Sequence, residues 1–449
     1  MISPTTMDDF AGSGVQHLLD EAIELFENDK CWVIRVPARL CLAADHTDYW
    51  EAFTPELVTF ASDSALMNAV ISPRSDSLIR MFNLGEFEDC QFDLNDGGPP
   101  HATGSDGWLE WLDTCGTPTP HWSNYVRGSV HHAQMHHDVK VGFDLLIDSN
   151  IPPASGASSS SALATCASIA IRLANDLSLE QSSLVKDTAD AEWYVGTRGG
   201  MMDHATMMFA EAGKMLRLTF RPFTARPLDS SAQLANYRFV TIFTHPSDKS
   251  REVQLAFNTR ALAARDVIPQ ILADSTDYLP DVLAVAELSD ELMRKYPALH
   301  AADGVELRIK DWLAFARGEL ERSQEVQVLL YANGEAETLG SYMDQAWKDA
   351  GKLYGIRTSQ MDLIADVCRS CEGVLGLKVM GAGFGGNLLA LVREDCIEGL
   401  QNILEINQNL FSRPVRDSIL VHRPGQGVSI MTGPEGDMNW SPLWPTTEE

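Results

Sequence analysis

Apolar residues at helical spacing open the chain, in Val15–Asn28 (VQHLLDEAIELFEN), and predict an amphipathic helix. A continuous apolar run over Cys31–Val36 then reads as a strand. Ala65–Leu84 reads as two strands around a Pro-Arg-Ser-Asp turn, and Trp122–Val130 as the start of a helix. A strand at Val141–Ile147 leads to Pro152–Ala170, where Gly156 and four serines, Ser158, Ser159, Ser160 and Ser161, precede an Ala-rich helical stretch. A further helix is expected to end near Gly196–Gly213 (GTRGGMMDHATMMFAEAG). The second half is helix-rich, with Phe257–Ala273 and Leu339–Ala350 the strongest cases, before a glycine loop and two strands. The tail from Pro434 onward, with its Pro and Trp, is expected to be irregular. Mixed strands and helices by themselves mean only α/β or α+β. No repeat or clear linker divides the chain. The Pro-containing stretch Phe220–Leu228 is the expected boundary, giving domains 1–225 and 226–449.

Composition narrows the function classes. A chain of 449 residues, 45% hydrophobic and 22% charged, has material for two or three real cores. It contains no apolar run long enough to cross a bilayer. Its first residues, MISPTTMDDFAGSG, are polar and acidic, so no secretory leader is expected. A net charge of −29 argues against nucleic acid as a partner, since that affinity rests on Lys and Arg neutralising phosphates. One bound nucleotide is still allowed, because local donors outweigh the mean field. Eight scattered cysteines imply reduced thiols and a cytoplasmic location, and Cys368-Arg-Ser-Cys371, without a second pair, is a poor zinc site. His131, His132, His136 and His137 fall within seven residues, where a metal site is conceivable but an ordinary helix end or loop is favoured.

Three segments carry candidate chemistry. In the serine segment, small residues allow close approach of a ligand, and free N–H groups at a helix start make an anion site. Hydroxyls there can reach a phosphate or a magnesium ion, while a flexible turn with a Ser cap is the plain alternative. Val36–Trp50 (VPARLCLAADHTDYW) gathers Arg39, Asp45, His46, Asp48 and Tyr49 after a strand. Val379–Val392 is a glycine loop with Gly381, Gly383, Gly385 and Gly386.

In this order the three segments resemble the signature motifs of the GHMP small-molecule kinases. The intact HTDY at His46–Tyr49 resembles the sugar signature of the galactokinase branch, as does Trp122–Tyr125. The resemblance spans about residues 31–392 and implies an α+β GHMP fold: two α/β domains with the active site in the cleft between them. It implies an ATP- and magnesium-dependent kinase acting on the anomeric hydroxyl of a monosaccharide, galactose first, as a monomer or homodimer. Asp203 would be the base and Arg39 would hold it ionised. Asp45, His46, Asp48 and Gly200 would meet the sugar, with Phe257 at the place of a family tyrosine. Gly156, Ser158, Ser159, Ser160, Ser161, Gly383 and Gly385 would hold the nucleotide, and Ser160 with Glu192 the metal.

Several positions depart from that pattern. Asp45 replaces a glutamate, Cys41 an asparagine, Phe257 a tyrosine, and Ser161 the usual alanine. Glu192 lies one residue too close to Asp203, and Asp190 one too far. Residues 50–60 read as an insertion. Kinases of another sugar (uronic acid, arabinose, amino sugar or heptose) therefore stay open, as does a silent sugar- and ATP-binding sensor. Mevalonate or homoserine kinase fits the HTDY motif less well.

Overall fold

The structure, a computed structural model, describes residues 2–10, 15–50, 53–100, 106–248, 250–269, 308–432 and 440–445. Its frame is a pair of long strands. Numbering every strand in chain order from a short β1 (Thr5–Thr6), these are β2 (Lys30–Ala43) and β3 (Leu57–Pro73), with 14 and 17 residues. Nearly every residue of β2 is buried, which is why its sequence is a near-continuous apolar run. The two strands pair antiparallel, from Trp32 opposite Ile71 to Ala43 opposite Val58. The register shifts between Pro37 and Arg39 and again between Cys41 and Ala43. Such irregularities re-aim side chains beside sites, and here they bracket Arg39.

The Pro-Arg-Ser-Asp turn does join two strands, β3 and β4 (Leu78–Asn83), but they are not direct partners. Strand β6 (Phe143–Ser149) lies between them, antiparallel to β3 and parallel to β4, and β5 (Cys90–Asp93) forms the edge. A hairpin of β7 (Lys214–Phe220) and β8 (Phe223–Asp229) pairs with β3. That hairpin occupies the expected boundary and belongs to the first sheet. The chain also returns to this sheet late, through β13 (Pro424–Gly425), β14 (Ser429–Met431) and β15 (Trp440–Pro442). One cut in sequence therefore does not separate the sheets, and the tail expected to be irregular holds a strand.

A second sheet has the order β10 (Val374–Val379), β11 (Gly386–Arg393), β9 (Tyr237–His245), β12 (Ile419–His422). Helices supply the other layers. On the first sheet these include α3 (Ser123–His136), α4 (Ser159–Ala174), α5 (Gln181–Glu192) and α6 (Met202–Phe209), while α1 (Gln16–Leu25) packs in a separate cluster with Val33, Val70 and Leu146, and α2 (Asp106–Cys115) packs against Met135 of α3. The second core takes side chains from α7 (Arg251–Leu262), α8 (Ile309–Tyr331), α9 (Ala336–Asp349), α10 (Ser359–Arg369) and α11 (Ile397–Ile406). The expected helix at Phe257–Ala273 is helical through 269, and its remainder lies outside the described residues.

Placement of the first motif follows from packing. Tyr49, Trp50 and Phe53 leave the first sheet and bury their rings in the second core, where Trp50 and Phe53 stack at 5.4 Å. Burying three aromatic side chains is worth several kcal/mol. The polar residues between β2 and these rings, Asp45 to Asp48, are thereby held where the two cores meet. Trp50 and Phe53, which fall in the segment expected as an insertion, thus serve as anchors.

Candidate active site

Arg39 is 4% exposed, and its Nε donates to Asp203 Oδ1 while Nη1 donates to the Gly156 carbonyl at 2.8 Å. One guanidinium therefore joins β2, the serine loop and the first turn of α6. Asp203 Oδ2 accepts from Ser158 Oγ at 2.5 Å and lies 3.3 Å from Ser161 Oγ. Burial alone would raise the Asp203 carboxyl, but the charge and hydrogen bond of Arg39, with the Ser158 hydroxyl, hold it below the usual carboxylate range. Its side chain keeps 23% exposure. Gly156, Ser158, Ser159, Ser160 and Gly200 are also half-buried, so a solvent-reachable seam runs along this otherwise buried wall.

Ser158 takes a left-handed conformation, φ 61°, and makes no side-chain cap to its own helix. The hydroxyl that the capping alternative assigns to the helix is given to Asp203 instead. The leading N–H groups of α4 thus keep the character of an anion site.

Asp48 sits at the N-terminal end of α6, which also carries Asp203. Its Oδ2 accepts from the backbone N–H of Met202 at 3.1 Å. Burial pushes its carboxyl up to about 6, with the Asp203 charge adding to the rise and the Met202 bond opposing it. Gly200 packs against it: a Cβ there would fall 2.0 Å from Asp48 Oδ2, whereas one at Gly199 would meet nothing within 4 Å. The second glycine of the pair is the one the site requires.

His46 is engaged within the protein at both ring nitrogens. Nε2 donates to the Gly381 carbonyl at 3.0 Å, and Nδ1 accepts from the Tyr49 hydroxyl at 3.1 Å. The Tyr49 oxygen in turn accepts from Tyr354 at 2.7 Å. Burial drives the imidazole down to about 4, so it is neutral at physiological pH, consistent with one donor and one acceptor nitrogen. Phe257 packs its ring 6.0 Å from both His46 and Tyr49. Neither Tyr354 nor Arg265, which lies just past the end of α7, carries a motif, and sequence reading passes over both. Arg265 Nη2, for instance, donates to the Gly199 carbonyl at 2.6 Å.

The two glycine-bearing loops lock together. Asn387 N donates to the Ser155 carbonyl at 2.7 Å, and a Cβ on Gly381 would lie 2.5 Å from the Gly156 carbonyl. Gly383 and Gly385 have φ of 77° and 118°, and side chains there would strike Ile356 and the Pro246 carbonyl. These glycines hold the serine loop's shape from behind.

Glu192 ends α5, and the short spacing to Asp203 is absorbed by a tight turn, Trp193–Val195, closed by Gly196 at φ 88°. Its Oε2 accepts from Ser161 Oγ at 2.9 Å and lies 3.2 Å from His204 Nε2 without hydrogen-bond alignment. Glu192 therefore reaches the serine loop. Asp190 instead pairs with Lys186 at 3.3 Å. Among the described residues no three His, Cys, Asp or Glu side chains converge as a metal cage. The His131–His137 stretch is the end of α3, with His131 and His132 buried against Trp108, Trp111 and Tyr194. A serine hydroxyl with one carboxylate nevertheless suits magnesium, which keeps water and phosphate oxygens as its other ligands.

Asp45 has a partner no motif revealed. Lys378 Nζ, from β10, donates to Asp45 Oδ2 and to the Cys41 carbonyl at 3.0 Å. A lysine in the apolar run Leu375–Met380 was the available signal. Beside the loop bearing Gly200 opens a cavity of about 400 Å³, bordered by Trp193, Gly196, Arg198, Arg251 and Asn258.

Residues 124–211, which hold the serine loop, Glu192 and Asp203, match the GHMP kinases N terminal domain. The galactokinase of Chloroflexus aurantiacus is 26% identical over 372 residues, 82% of this chain and 85% of that protein. The galactokinase of Lactococcus lactis subsp. cremoris is 25% identical over 397 residues, 87% and 90% of the two chains. The crystal structure of Lactococcus lactis galactokinase complexed with galactose superposes with a TM-score of 0.73 at 22% identity, covering 92% of this chain and 99% of that one. A mevalonate kinase from Methanococcus jannaschii gives 0.52 at 16% identity, over 87% and 98%.

Domain match and fold together place the chain in the GHMP kinase superfamily, with the α+β fold of that group. Within it the chain is a galactokinase-like sugar kinase, an enzyme that transfers phosphate to a hydroxyl group. No described helix is long and apolar enough to cross a membrane.

Proposed function

We propose that the chain transfers the terminal phosphoryl group of ATP to the anomeric hydroxyl of a monosaccharide, D-galactose being the first candidate, and releases a sugar 1-phosphate and ADP. The observation that carries this reading is the Arg39–Asp203–Ser158 arrangement, a carboxylate kept ionised at the head of an anion-binding helix. A sugar hydroxyl at the Asp203 carboxylate would be oriented by hydrogen bonding and would give up its proton there. Its oxygen would form the new bond to phosphorus as the bond to the departing diphosphate breaks.

A carboxyl held this low is a weak base, yet the transition state for phosphoryl transfer is loose and asks for little proton removal before bond cleavage. Asp203 then works by orientation and late proton acceptance, and Arg39 by stabilising charge on the reacting oxygens. Asp48 and the Gly200 backbone would position the sugar. His46, with both nitrogens engaged, would contribute by fixing the turn between Asp45 and Asp48. The α4 N-terminus and the serine hydroxyls would take the phosphates. Ser160 and Glu192 would hold magnesium, which neutralises phosphate charge when bound. The Phe257 ring puts no phenol hydroxyl beside His46, so selectivity among sugars rests on the carboxylates.

Release of ADP with saturating ATP and magnesium, measured over free sugars and polyols, tests this reading. Rapid turnover of one sugar supports it, and a silent panel removes it. Binding of sugar without turnover would instead favour the sensor.

A further inference from the structure

Two charged side chains meet almost out of contact with solvent where the sheets come together. Asp45 is 6% exposed and Lys378 2%. Asp45 sits in a turn flanked by two left-handed residues, Ala44 at φ 68° and His46 at φ 61°. That turn is fixed from three directions. Ala44 N donates to Glu319 Oε2 of α8 at 2.9 Å, Thr47 Oγ1 donates to the Ala44 carbonyl at 2.7 Å, and His46 reaches Gly381. Lys378 binds one carboxylate oxygen, Oδ2, and leaves the other, Oδ1, buried without a hydrogen-bond partner.

A buried carboxylate oxygen without a donor is costly, and such an atom in a native site calls for an explanation. Its surroundings are specific. Lys378 already compensates the charge, and both Arg39 and the Cys41 thiol lie close enough to interact with Asp45, the thiol giving its hydrogen bond to the Ala43 carbonyl at 3.3 Å. What Oδ1 lacks is therefore a neutral donor, not another cation. A sugar hydroxyl has that chemistry; a carboxylate on the same carbon would meet lone pairs.

We propose that Lys378 is a positioning residue that sets sugar selectivity, clamping Asp45 Oδ2 so that Oδ1 accepts from one hydroxyl of the substrate. The inference rests on the sugar-kinase reading of the same site. Without Lys378 the short Asp45 side chain loses its anchor and the cation that pairs directly with it. With it, the carboxylate stays fixed, and a sugar lacking the matching hydroxyl leaves the orphan unsatisfied. Sites built to hydrogen-bond a hydroxyl reject the analogue lacking it strongly.

The test compares D-galactose with its 2-, 3-, 4- and 6-deoxy derivatives in wild type, Lys378→Met and Lys378→Arg. It reads kcat/KM by ADP release and sugar affinity by calorimetry. Wild type is expected to disfavour one deoxy sugar by about 100-fold or more. Lys378→Met is expected to reduce that one ratio to below about 10-fold with the KM for ATP unchanged, and Lys378→Arg to retain it. A merely structural lysine would lower the melting temperature or the active fraction and leave the ratio where it was, which overturns the proposal. Should Lys378→Met not fold, Asp45→Asn, nearly isosteric, replaces an acceptor oxygen by a donor and must change discrimination at the same carbon and no other. Binding with the expected ratios but no ADP release would defeat the kinase reading and leave the role of Lys378 standing. No discrimination by wild type in either assay defeats the proposal itself.

Discussion

Ser158, at the head of helix α4, donates its hydroxyl to Asp203 at 2.5 Å and not to its own helix. A residue placed to cap has instead been given to the carboxylate that Arg39 also holds, so the proposed phosphate-binding loop and the proposed base form one unit. Neither can move without disturbing the other.

Asp203→Asn should keep the fold and lose the chemistry. The amide preserves size but carries no charge opposite Arg39, and kcat is expected to fall by about 10³-fold or more. ADP release measured beside far-UV circular dichroism checks this; a variant with more than a tenth of wild-type turnover would remove Asp203 from the reaction.

The adjacent glycines should behave differently. Gly200→Ala drives a methyl into Asp48, whose carboxylate is held by Met202 N and cannot retreat without breaking that bond, while Gly199→Ala enters open space. We expect about a 100-fold loss of kcat/KM for the sugar in the first. The second should stay within about threefold of wild type, as surface substitutions without a clash are usually near neutral. Equal effects would mean that the loop tolerates or rejects side chains for another reason.

Asp48 gives a pH-dependent test of stability. Its carboxyl is raised from 3.8 to about 6 in the folded protein, so the native state holds this proton more tightly than the unfolded chain. The resulting stabilisation is present at low pH and disappears as pH rises through about 6, above which the buried charge is a net cost of about 3 kcal/mol. Asp48→Asn should therefore raise stability by up to about that amount at pH 7.5, by under about 1 kcal/mol at pH 4, and weaken sugar binding. Chemical denaturation at the two pH values decides it: a gain independent of pH would exclude ionisation as the cause.

Glu192→Gln keeps the hydrogen bond available to Ser161 and removes the negative charge. The magnesium concentration giving half-maximal rate should rise about 10-fold or more, and high magnesium should recover part of the activity. An unchanged magnesium dependence would assign Glu192 to loop support alone.

The candidate site was legible where local pattern and spacing coincide. Asp48, Gly200 and Asp203 stand in short polar or glycine clusters, Arg39 is a charged residue in a mostly apolar strand, and the structure brings the four together. Glu192 shows the limit of spacing arguments: one residue missing between it and Asp203 changes the turn, a tight one closed at Gly196, and still leaves the carboxylate on Ser161. Lys378, Glu319 and Tyr354 were not legible, because each lies in a helix, strand or turn without a motif. Their role depends on facing a segment some 300 residues away in sequence.

Hydrophobic patterning and the order of three motifs determined that this chain alternates strands and helices, puts a serine-rich segment at a helix start, and resembles the sugar kinases in its motifs. Those are local properties, set by which neighbours are apolar, small or charged. Tertiary structure alone decided that the late strands rejoin the first sheet, that His46 is committed to Gly381 and Tyr49, and that Asp45 is clamped on one oxygen and open on the other. The reason is physical. A side chain's charge and donors are written in its identity, but which of them remain for a ligand depends on partners that only chain folding brings within 3 Å.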